Sequence, residues 1–560
     1  MKRCLTVLLI LIAGASMKTS EQEFLRGIIE EGDRKFASLG LEEHMASKIQ
    51  VRIHNAYAPY SFAGHEPLRW IARKLGNARH LVAMKAAQVG WSTFMIVRGL
   101  WLVDGEYLHV AFFFPNQQAM IDFVQYRFDP IIDNSPYYAK LRLDMGGVDN
   151  VKIKQIGKMI IAFRATSTMT GVKSFDSDVN IEDEVDEHNP ETLQFTRDRL
   201  LHSRLGYVMS GSQPSIEDYG IHAAFMESDQ HWWHARCGCG TWTNPVATFM
   251  EDPEKLFAKN NKGDVFYACP SCRKKLNMQR GEYVPAVRGR EIAGVQLSHL
   301  FFDYISARDM QKKFLGANTL IKRKNFYISV IGVPYSTDDE KPITQGIIES
   351  HRSDHALRDR SEFYTYMGAD QGDVVHMVFG EPTRDGRIAI IGLQKFSVLD
   401  EEAHRAAIRR MCVFQGIVDA MPNKNWAVRM AMAFPENIRI QYFAKKYAEK
   451  AEAIPGLEEG IEVMQANRDE SLQDTVDAVK RGLFIFPDKS RLDGPDLALA
   501  EEFDYHLRML IRERGEDDNG KPIYQFKKKV PNHFGMALNS LRLAYESAGS
   551  PGVNIDPIYG

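Results

Sequence analysis

"MKAAQVGWST", residues 84–93, is the stretch that decides the fold of the first half of the chain. The usual phosphate-binding loop reads G-x-x-x-x-G-K-[ST]; its backbone N–H groups hold a triphosphate, and its lysine contacts the β- and γ-phosphates. On that frame Gly90 is the second glycine and Ser92 is the hydroxyl that binds magnesium. Lys85, however, stands in the place of the first glycine, and Trp91 stands in the place of the lysine. The stretch is therefore either a coincidence or a phosphate loop whose cation arrives from its other end.

The segments on either side favour a working loop. Residues 79–84 (RHLVAM) are a short apolar run typical of a buried parallel strand, and residues 92–103 keep apolar side chains at helical spacing. A phosphate loop requires this order of strand, loop and helix. Further buried strands are predicted at 108–114 and 159–163.

An acidic pair follows the next apolar strand, in DVNIEDEVDEH at 178–188. Asp183 would hold Mg²⁺, directly or through water, and Glu184 would polarise the attacking water. Such a pair alone is usually a solvated strand end, but its position about 90 residues after a phosphate loop, with parallel-type strands between, indicates a nucleotide hydrolase. The strand at 206–215 ends in small polar residues, which could sense hydrolysis or could form a simple polar turn.

Composition limits the classes of protein that the chain can be. It has 560 residues, 44% hydrophobic and 26% charged, enough for two to four folded domains of about 100–200 residues each. With a formal net charge of −3, a nucleic acid would have to be bound by local basic patches. Residues 1–16 have the outline of a secretory signal, but we favour a natural start at Met17, because the rest is typical of an intracellular nucleotide-dependent machine. We predict no membrane-spanning segment.

Four of the six cysteines form two close pairs, C-x-C and C-x₂-C, separated by 29 residues. Zinc ribbons use such pairs to direct four thiolates at one tetrahedral ion, so we predict a structural Zn²⁺ at Cys237, Cys239, Cys269 and Cys272. The first pair is one residue shorter than usual, so His234 could replace Cys237 or Cys239. The alternative is four reduced cysteines without a metal.

Two strands in the second half of the chain each end in a carboxylate. FYTYMGADQGD (363–373) runs into Asp370, and FQGIVDAMPN (414–423) runs into Asp419. Between them, VVHMVFGEP and RIAIIGLQKF alternate like antiparallel strands joined by the turn TRDG. Two acids at the ends of buried strands could bind a pair of divalent ions, as two-metal nucleases require. Either acid alone is more often a turn residue.

These motifs together carry a family resemblance. MKAAQVGWST, VNIEDEVDEH, MSGSQPS and GIHAAFMESDQHWWHARCGCG occur in the order found in the large subunits of tailed-phage terminases. The chain resembles their lambda-like branch from about residue 60 to 545. That family carries the lysine or arginine at the start of its phosphate loop, followed by Q-x-G, which Lys85, Gln88 and Gly90 match.

The resemblance implies an ATPase that binds ATP and Mg²⁺. Lys85 would contact the β- and γ-phosphates, and Ser92, or else Thr93, would bind Mg²⁺; Trp91 is part of the same nucleotide-binding loop. An arginine finger should complete the stabilisation of charge. Its candidates lie between the acidic pair and the SGSQPS segment: Arg197, Arg199 and Arg204.

The resemblance also implies an RNase H-like nuclease that uses Mg²⁺ or Mn²⁺ and takes a third acid from its C-terminal helix. The family commonly has D-H-F-x-x-A-L-N-Y there, whereas this chain has Asn532, His533 and Phe534. Asparagine offers an oxygen but no negative charge, so we expect Asn532 to lie at the site, to bind one metal weakly and to lower the activity. It could be a natural variant or an inactivating substitution, or Asp373 or Asp474 could supply the third ligand.

We therefore expect a P-loop ATPase domain with a parallel sheet at 60–230 and an RNase H-like α/β nuclease domain at 355–548. A cysteine-rich, zinc-ribbon-like segment with a linker at 231–354 would join them. An N-terminal arm (1–59) and a tail (549–560) would flank these parts.

The function implied by the resemblance is ATP-driven translocation of viral DNA into a procapsid, with endonuclease cleavage of concatemers. Such motors act as a homo-oligomeric ring on the portal protein of the capsid, guided by a small terminase subunit, in the cytoplasm of the infected bacterial host and not in the mature virion. Double-stranded DNA would be bound electrostatically. Candidate contacts are the basic runs CRKKL (272–276) and Lys527, Lys528 and Lys529.

Two other functions compete with this one. A helicase or repair ATPase with an appended nuclease would need helicase motifs after the acidic pair, and none is recognisable in the sequence. With Trp91 in its loop and Asn532 in its nuclease, the protein could instead be a catalytically impaired, DNA-binding assembly component. A secreted protein would rest on residues 1–16 alone.

Overall fold

The chain forms two compact units with their boundary between Tyr335 and Ser336. The computed structural model describes residues 40–548 except 54, 107, 145–147, 157–158, 169–170, 173–174, 338, 444–460, 462, 517–521 and 528–529. The possible signal at 1–16, the tail at 549–560, Lys528 and Lys529 lie outside the described residues. Across the described part, the helices are too short or too polar to cross a membrane.

The first unit is built on an eleven-stranded sheet. The strands of this unit are β1 (Gln50–Ile53), β2 (Ala56–Pro59), β3 (His80–Lys85), β4 (Val110–Phe114), β5 (Asp149–Asn150), β6 (Ile153–Ile156), β7 (Met159–Ala165), β8 (Val179–Asp183), β9 (Tyr207–Ser212), β10 (His231–Arg236), β11 (Trp242–Thr243), β12 (Phe257–Lys259), β13 (Val265–Tyr267), β14 (Gly281–Pro285) and β15 (Ala293–Leu297). The sheet order is β11-β10-β15-β3-β9-β8-β4-β7-β6-β5, with β14 paired to β10; β1-β2 and β12-β13 form two small hairpins.

The strands from β15 to β7 in this order are parallel. Strands β4, β8 and β15 are buried along their whole length, as expected where helices cover both faces of a parallel sheet. The helices are α1 (Leu41–Lys48), α2 (Glu66–Lys74), α3 (Trp91–Glu106), α4 (Gln117–Phe123), α5 (Asp129–Asn134), α6 (Pro136–Asp144), α7 (Pro190–Gln194), α8 (Gly220–Glu227), α9 (Pro245–Glu251), α10 (Pro253–Leu256), α11 (Ala307–Gly316) and α12 (Leu320–Asn325).

The boundaries predicted at 230/231 and 354/355 differ from this division. Strands β10, β14 and β15 come from the predicted ribbon and linker segment, yet they belong to the sheet of the first unit, and β15 pairs directly with β3. The linker assignment was therefore wrong for this part of the chain.

The second unit has an eight-stranded sheet in the order β16-β23-β19-β18-β17-β20-β21-β22. Its strands are β16 (Arg352–Ser353), β17 (Thr365–Asp370), β18 (Val374–Pro382), β19 (Ile388–Ser397), β20 (Val413–Asp419), β21 (Ile438–Phe443), β22 (Val463–Ala466) and β23 (Phe484–Pro487), and β24 (Arg512–Glu516) and β25 (Pro522–Phe526) form a separate hairpin. Its helices are α13 (Gln345–Ser350), α14 (Glu401–Arg410), α15 (Lys424–Ala433), α16 (Arg468–Lys480), α17 (Gly494–Arg508) and α18 (His533–Ser547).

The core of this second sheet is the antiparallel run β19-β18-β17. Strand β20 pairs in parallel with β17, and β21 pairs in parallel with β20, which is the predicted RNase H-like arrangement. Helix α18 packs closely over β17. A Cβ at Gly368 would lie only 1.9 Å from the Ala537 carbonyl oxygen, so this approach requires glycine. The predicted α/β fold class is confirmed.

Candidate functional site

The phosphate loop lies at the carboxyl end of β3, among the parallel strands. Lys85 ends β3 and is buried, and α3 begins at Trp91. Between them the backbone enters the left-handed region at Gln88 (φ 52°) and Gly90 (φ 80°). A Cβ at Gly90 would be strained and 3.2 Å from Leu68 Cδ1, so glycine suits this turn. The first N–H groups of α3 lack helical partners and are positioned to bind an anionic phosphate.

The structure brings the predicted lysine and acidic pair together. Lys85 Nζ donates a hydrogen bond to Glu184 Oε1 at 2.9 Å. Asp183 ends β8, and Glu184 follows it in a left-handed conformation with φ 55°. Ser212, at the end of the intervening strand β9, donates to Glu184 Oε2 at 3.3 Å. The small polar strand end is therefore in contact with the candidate catalytic carboxylate.

Electrostatics around Asp183 identify a residue that the sequence analysis missed. Burial raises the pKa of Asp183, and the Lys85 ammonium opposes that rise. The Arg127 guanidinium also lowers this pKa, which places its charge near the acidic pair. Arg127 is exposed and lies on the π-helical segment Val124–Phe128, a kind of irregularity that is frequent at functional sites. In sequence, it resembles any other surface arginine.

The three residues after Gly90 occupy different environments. Ser92 and Thr93 are half-buried in the first turn of α3, beside the loop. The Trp91 side chain is only 1% exposed and stacks on Phe94 with ring centroids 5.1 Å apart. A Cβ at Gly211 would lie 2.2 Å from Trp91 Nε1, so the indole fills the core against β9. A nucleotide could therefore contact Trp91 only through its backbone.

The predicted arginine-finger candidates are not beside the phosphate loop in their own chain. The charge of Arg197 lowers the pKa of His80, which lies at the opposite end of β3 from the loop. Arg199 forms an ion pair of 3.7 Å with Asp176, which precedes β8. Arg204 is exposed. A role for these residues in a neighbouring subunit stays a prediction.

Residues beyond the predicted end of the ATPase domain at 230 form hydrogen bonds with the backbone of the phosphate loop. Ala86 N donates to Leu297 O at 2.8 Å, and Ala87 N donates to Ser329 O at 2.9 Å. His299 Nε2 donates to the Ala87 carbonyl oxygen at 2.5 Å. The only signal in the sequence is the short apolar run AGVQL, now β15, which the sequence analysis did not use.

The four paired cysteines converge as predicted. Cys237 Sγ lies 3.7 Å from Cys272 Sγ, and Cys239 Sγ lies 3.8 Å from Cys269 Sγ. All four sulfur atoms lie within 4.8 Å of one another. A tetrahedral zinc ion with Zn–S bonds of about 2.3 Å would space its sulfur ligands by about 3.8 Å, so the thiols fit the ion. These distances are too long for disulfides, which need about 2.05 Å.

The alternative ligand His234 does not join this group. Its Nδ1 donates to the carbonyl oxygen of Trp232 at 3.0 Å. The short C-x-C spacing is accommodated because Gly240 adopts a φ of 95° and its N–H donates to the Cys237 carbonyl at 3.1 Å. A side-chain hydrogen bond with Thr241 is the main cause that lowers the pKa of the Cys239 thiol to about 6.

The two predicted nuclease acids end adjacent parallel strands. Asp370 is the last residue of β17 and Asp419 is the last residue of β20. Burial, together with the charge of Asp370, raises the pKa of Asp419 to about 7. The charges of both acids raise the pKa of the nearby Arg468 guanidinium, in opposition to burial, which lowers it. Two neighbouring, largely buried carboxylates are a donor set that suits a divalent cation such as Mg²⁺ or Mn²⁺.

The N-terminus of α18 contacts Asp370 through His533. Its Nδ1 donates to Asp370 Oδ2 at 2.8 Å. Asn532 precedes it, is 5% exposed, and its Nδ2 has no hydrogen-bond partner among the described residues. The alternative third ligands Asp373 and Asp474 are both exposed. Sequence reasoning placed Asn532 next to the site but did not predict the contact of His533.

A second group of metal-binding side chain types lies beside these acids. His376, Glu502 and His506 offer ligand atoms within 4.8 Å of one another. Glu502, however, is paired with Lys395 Nζ at 2.6 Å, and His506 Nδ1 accepts the Phe534 N–H at 3.2 Å. Because protein partners already hold two of its three members, we assign no ion to this group.

Comparisons with known proteins agree with the first unit's architecture. Residues 47–288 match the family model described as "Phage terminase large subunit gpA, ATPase domain". No curated protein matches the chain.

The solved structures that are similar to the chain include three large terminase structures at low sequence identity. The HK97 bacteriophage large terminase is 9% identical, with 91% of this chain and 99% of that chain covered and a TM-score of 0.42. The large terminase of a thermophilic bacteriophage in complex with ATP-γ-S is 10% identical, with 87% and 99% covered and a TM-score of 0.28. The large terminase nuclease of the thermophilic phage G20c with bound magnesium is 13% identical, with 36% and 95% covered and a TM-score of 0.20.

Proposed function

We propose, from the premise that residues 47–288 form the ATPase domain of a phage terminase large subunit, that the chain is a viral DNA-packaging motor. ATP hydrolysis would drive double-stranded DNA into a procapsid, and a metal-dependent endonuclease would cut concatemers. One observation carries the proposal: Lys85, Asp183 and Glu184 converge at the carboxyl ends of parallel strands within the matched segment.

The geometry suggests how hydrolysis would proceed. The β- and γ-phosphates of ATP would take Lys85 away from Glu184, and the released carboxylate would polarise the attacking water. Ser92 or Thr93 and Asp183 would hold a Mg²⁺ ion, which would neutralise the developing phosphate charge. Ser212, in contact with Glu184, would report whether that carboxylate is paired or free.

The other activities of the proposal rest on the sites that match the family pattern. Asp370 and Asp419 would bind Mg²⁺ or Mn²⁺ for DNA cleavage, and Asn532 would reduce that activity by removing one negative charge. Zn²⁺ at the four cysteines would be structural, because four protein ligands leave no open position.

The partners and the place of action follow from the family alone. The motor would be a homo-oligomeric ring on the portal protein of a procapsid, recruited by a small terminase subunit. It would act in the cytoplasm of the infected bacterium during assembly.

The proposal is tested by ATP hydrolysis with and without DNA. Lys85→Ala should abolish nucleotide binding and turnover, and Glu184→Gln should abolish turnover alone. Lys262→Ala and Glu227→Gln change exposed residues of the same types and serve as controls. If neither site variant differs from the parent, the motor function is wrong and a non-catalytic DNA-binding component is the better description.

A further inference from the structure

A markedly basic surface follows the last strand of the ATPase sheet. Between residues 310 and 337 the chain has five basic residues and no acidic residue. We call these residues, on α11 and α12, the basic surface: Lys312, Lys313, Lys322, Arg323 and Lys324. All of them except the half-buried Lys324 are exposed. The whole chain has a net charge of −3, so this concentration of positive charge is local.

An aromatic cluster anchors both helices to the first unit. Phe314 of α11 and Phe326 after α12 both pack on the buried Phe249, with ring centroids 5.1 and 5.8 Å apart. The Phe314 and Phe326 rings themselves lie 5.6 Å apart. The basic surface is therefore held in place by the core.

The basic surface connects directly with the phosphate loop. Helix α12 runs without a break into the π-helical segment Phe326–Ile331, in which Ser329 O accepts the Ala87 N–H. Gly332 follows with a φ of 76°, and a Cβ there would lie 2.6 Å from Ala86 N. The segment that continues α12 is thus packed directly against the backbone of the phosphate loop.

A second route leads from α11 to the same loop. Burial lowers the pKa of His299, a contact with the Ala87 carbonyl opposes this, and the charge of Lys313 lowers it further. Lys313 is therefore near His299, whose Nε2 donates to Ala87 O. Helix α12 is thus connected to the loop through the segment Phe326–Ile331, and α11 is connected to it through His299.

We propose that the basic surface binds the phosphate backbone of double-stranded DNA and transmits this contact to the phosphate loop, so that DNA stimulates ATP hydrolysis. The inference rests on the proposed function. Double-stranded DNA is the favoured partner because it presents a regular row of negative charges to cations spread over two helices, whatever its sequence. The exposed Leu315 and Ile321 between these cations would suit an apolar partner instead, and the test below distinguishes the two.

The experiment compares two triple variants of the full chain. K312Q/K322Q/R323Q removes three charges from the basic surface. K74Q/K140Q/K152Q removes three exposed charges elsewhere on the same unit and is the matched control. For each protein, ATP turnover is measured without DNA and against rising concentrations of linear double-stranded DNA, and DNA affinity is measured at several salt concentrations.

We expect the basic-surface variant to keep the parent's turnover without DNA. The DNA concentration for half-maximal stimulation should rise at least about tenfold, and the slope of log affinity against log salt should fall by about 2 to 3, because each lost phosphate contact contributes about 0.9. The control should behave like the parent. Equal stimulation and salt dependence in the two variants would overturn the inference and leave an apolar partner for this surface. Absence of DNA stimulation in the parent itself would instead count against the proposed function.

Discussion

Lys85 and Glu184 are joined by a 2.9 Å hydrogen bond between Nζ and Oε1, although 99 residues separate them in sequence. The lysine side chain is 6% exposed and the glutamate side chain 32%. The proposed phosphate-binding cation and the proposed water-polarising carboxylate thus neutralise each other in the absence of a nucleotide. In the proposed function, a nucleotide that binds Lys85 would free Glu184 and so link hydrolysis to binding.

This ion pair predicts different consequences for its two members. Glu184→Gln should bind ATP-γ-S at least as tightly as the parent, because Lys85 no longer has an anionic partner to leave. Turnover should fall by about 10²- to 10⁴-fold, the usual contribution of a positioned general base. Calorimetric binding and steady-state turnover check this, and a loss of binding equal to the loss of turnover would contradict it.

Arg127 should contribute to turnover, because its charge already reaches Asp183 in the absence of a nucleotide. We expect Arg127→Ala to lower kcat by about 10- to 10³-fold, at or below the lower end of the range for arginine fingers, with a smaller effect on KM. Arg288→Ala, which removes another exposed arginine of the same unit, should leave kcat unchanged. An Arg127→Ala enzyme with the parent's kcat would exclude this role.

Gly211 should be sensitive to the smallest addition, because a Cβ there would meet Trp91 Nε1 at 2.2 Å. The buried indole has little room to move, so Gly211→Ala should lower the free energy of unfolding by about 1–3 kcal/mol, as overpacked cores do. Urea unfolding measures this change. Gly316→Ala, where nothing lies within 4 Å of the added Cβ, is the control, and equal stabilities of the two variants would contradict the packing argument.

The purified protein should contain about one equivalent of zinc, because four sulfur atoms already have the spacing of a tetrahedral site. Cys269→Ser should lose the metal and lower the unfolding temperature. Cys412→Ser changes a cysteine outside the cluster and should do neither. Metal analysis by mass spectrometry that finds no zinc in the parent would remove this assignment.

Asn532→Asp should increase Mn²⁺-dependent plasmid cleavage, because a carboxylate would add a negative charge one residue from His533, the side chain that contacts Asp370. Asp370→Asn should abolish any cleavage of the parent and of this variant. Asn55→Asp, an exposed change in the first unit, is the control for added charge. If Asn532→Asp cleaves no faster than the parent, Asn532 is not at the metal centre.

Local patterns were enough to predict the parts of both candidate sites. The strand predicted at 79–84 is β3, the strand before the acidic pair is β8, and the TRDG turn joins the β18-β19 hairpin. Each of these elements is recognisable because apolar periodicity and turn residues act over a few neighbouring positions. The two acids at strand ends followed from the same patterns.

Contacts between distant segments could not be predicted in this way. The pairing of β15 with β3, the contact of Ser329 with Ala87, and the charge of Arg127 beside Asp183 leave no local periodicity that marks them. The domain boundary at 230 was wrong for the same reason, since only pairing shows that β15 belongs to the first sheet.

The amino-acid sequence by itself thus determined which segments become strands, and it was enough to propose the phosphate loop and the side chains of both candidate sites. Only the tertiary structure decided that Trp91 is a core residue, that Lys85 is paired with Glu184, and that His533 contacts Asp370. The physical reason is that secondary structure follows from the spacing of neighbouring residues. Burial and ion pairing, by contrast, depend on which segments, far apart in the chain, pack against each other.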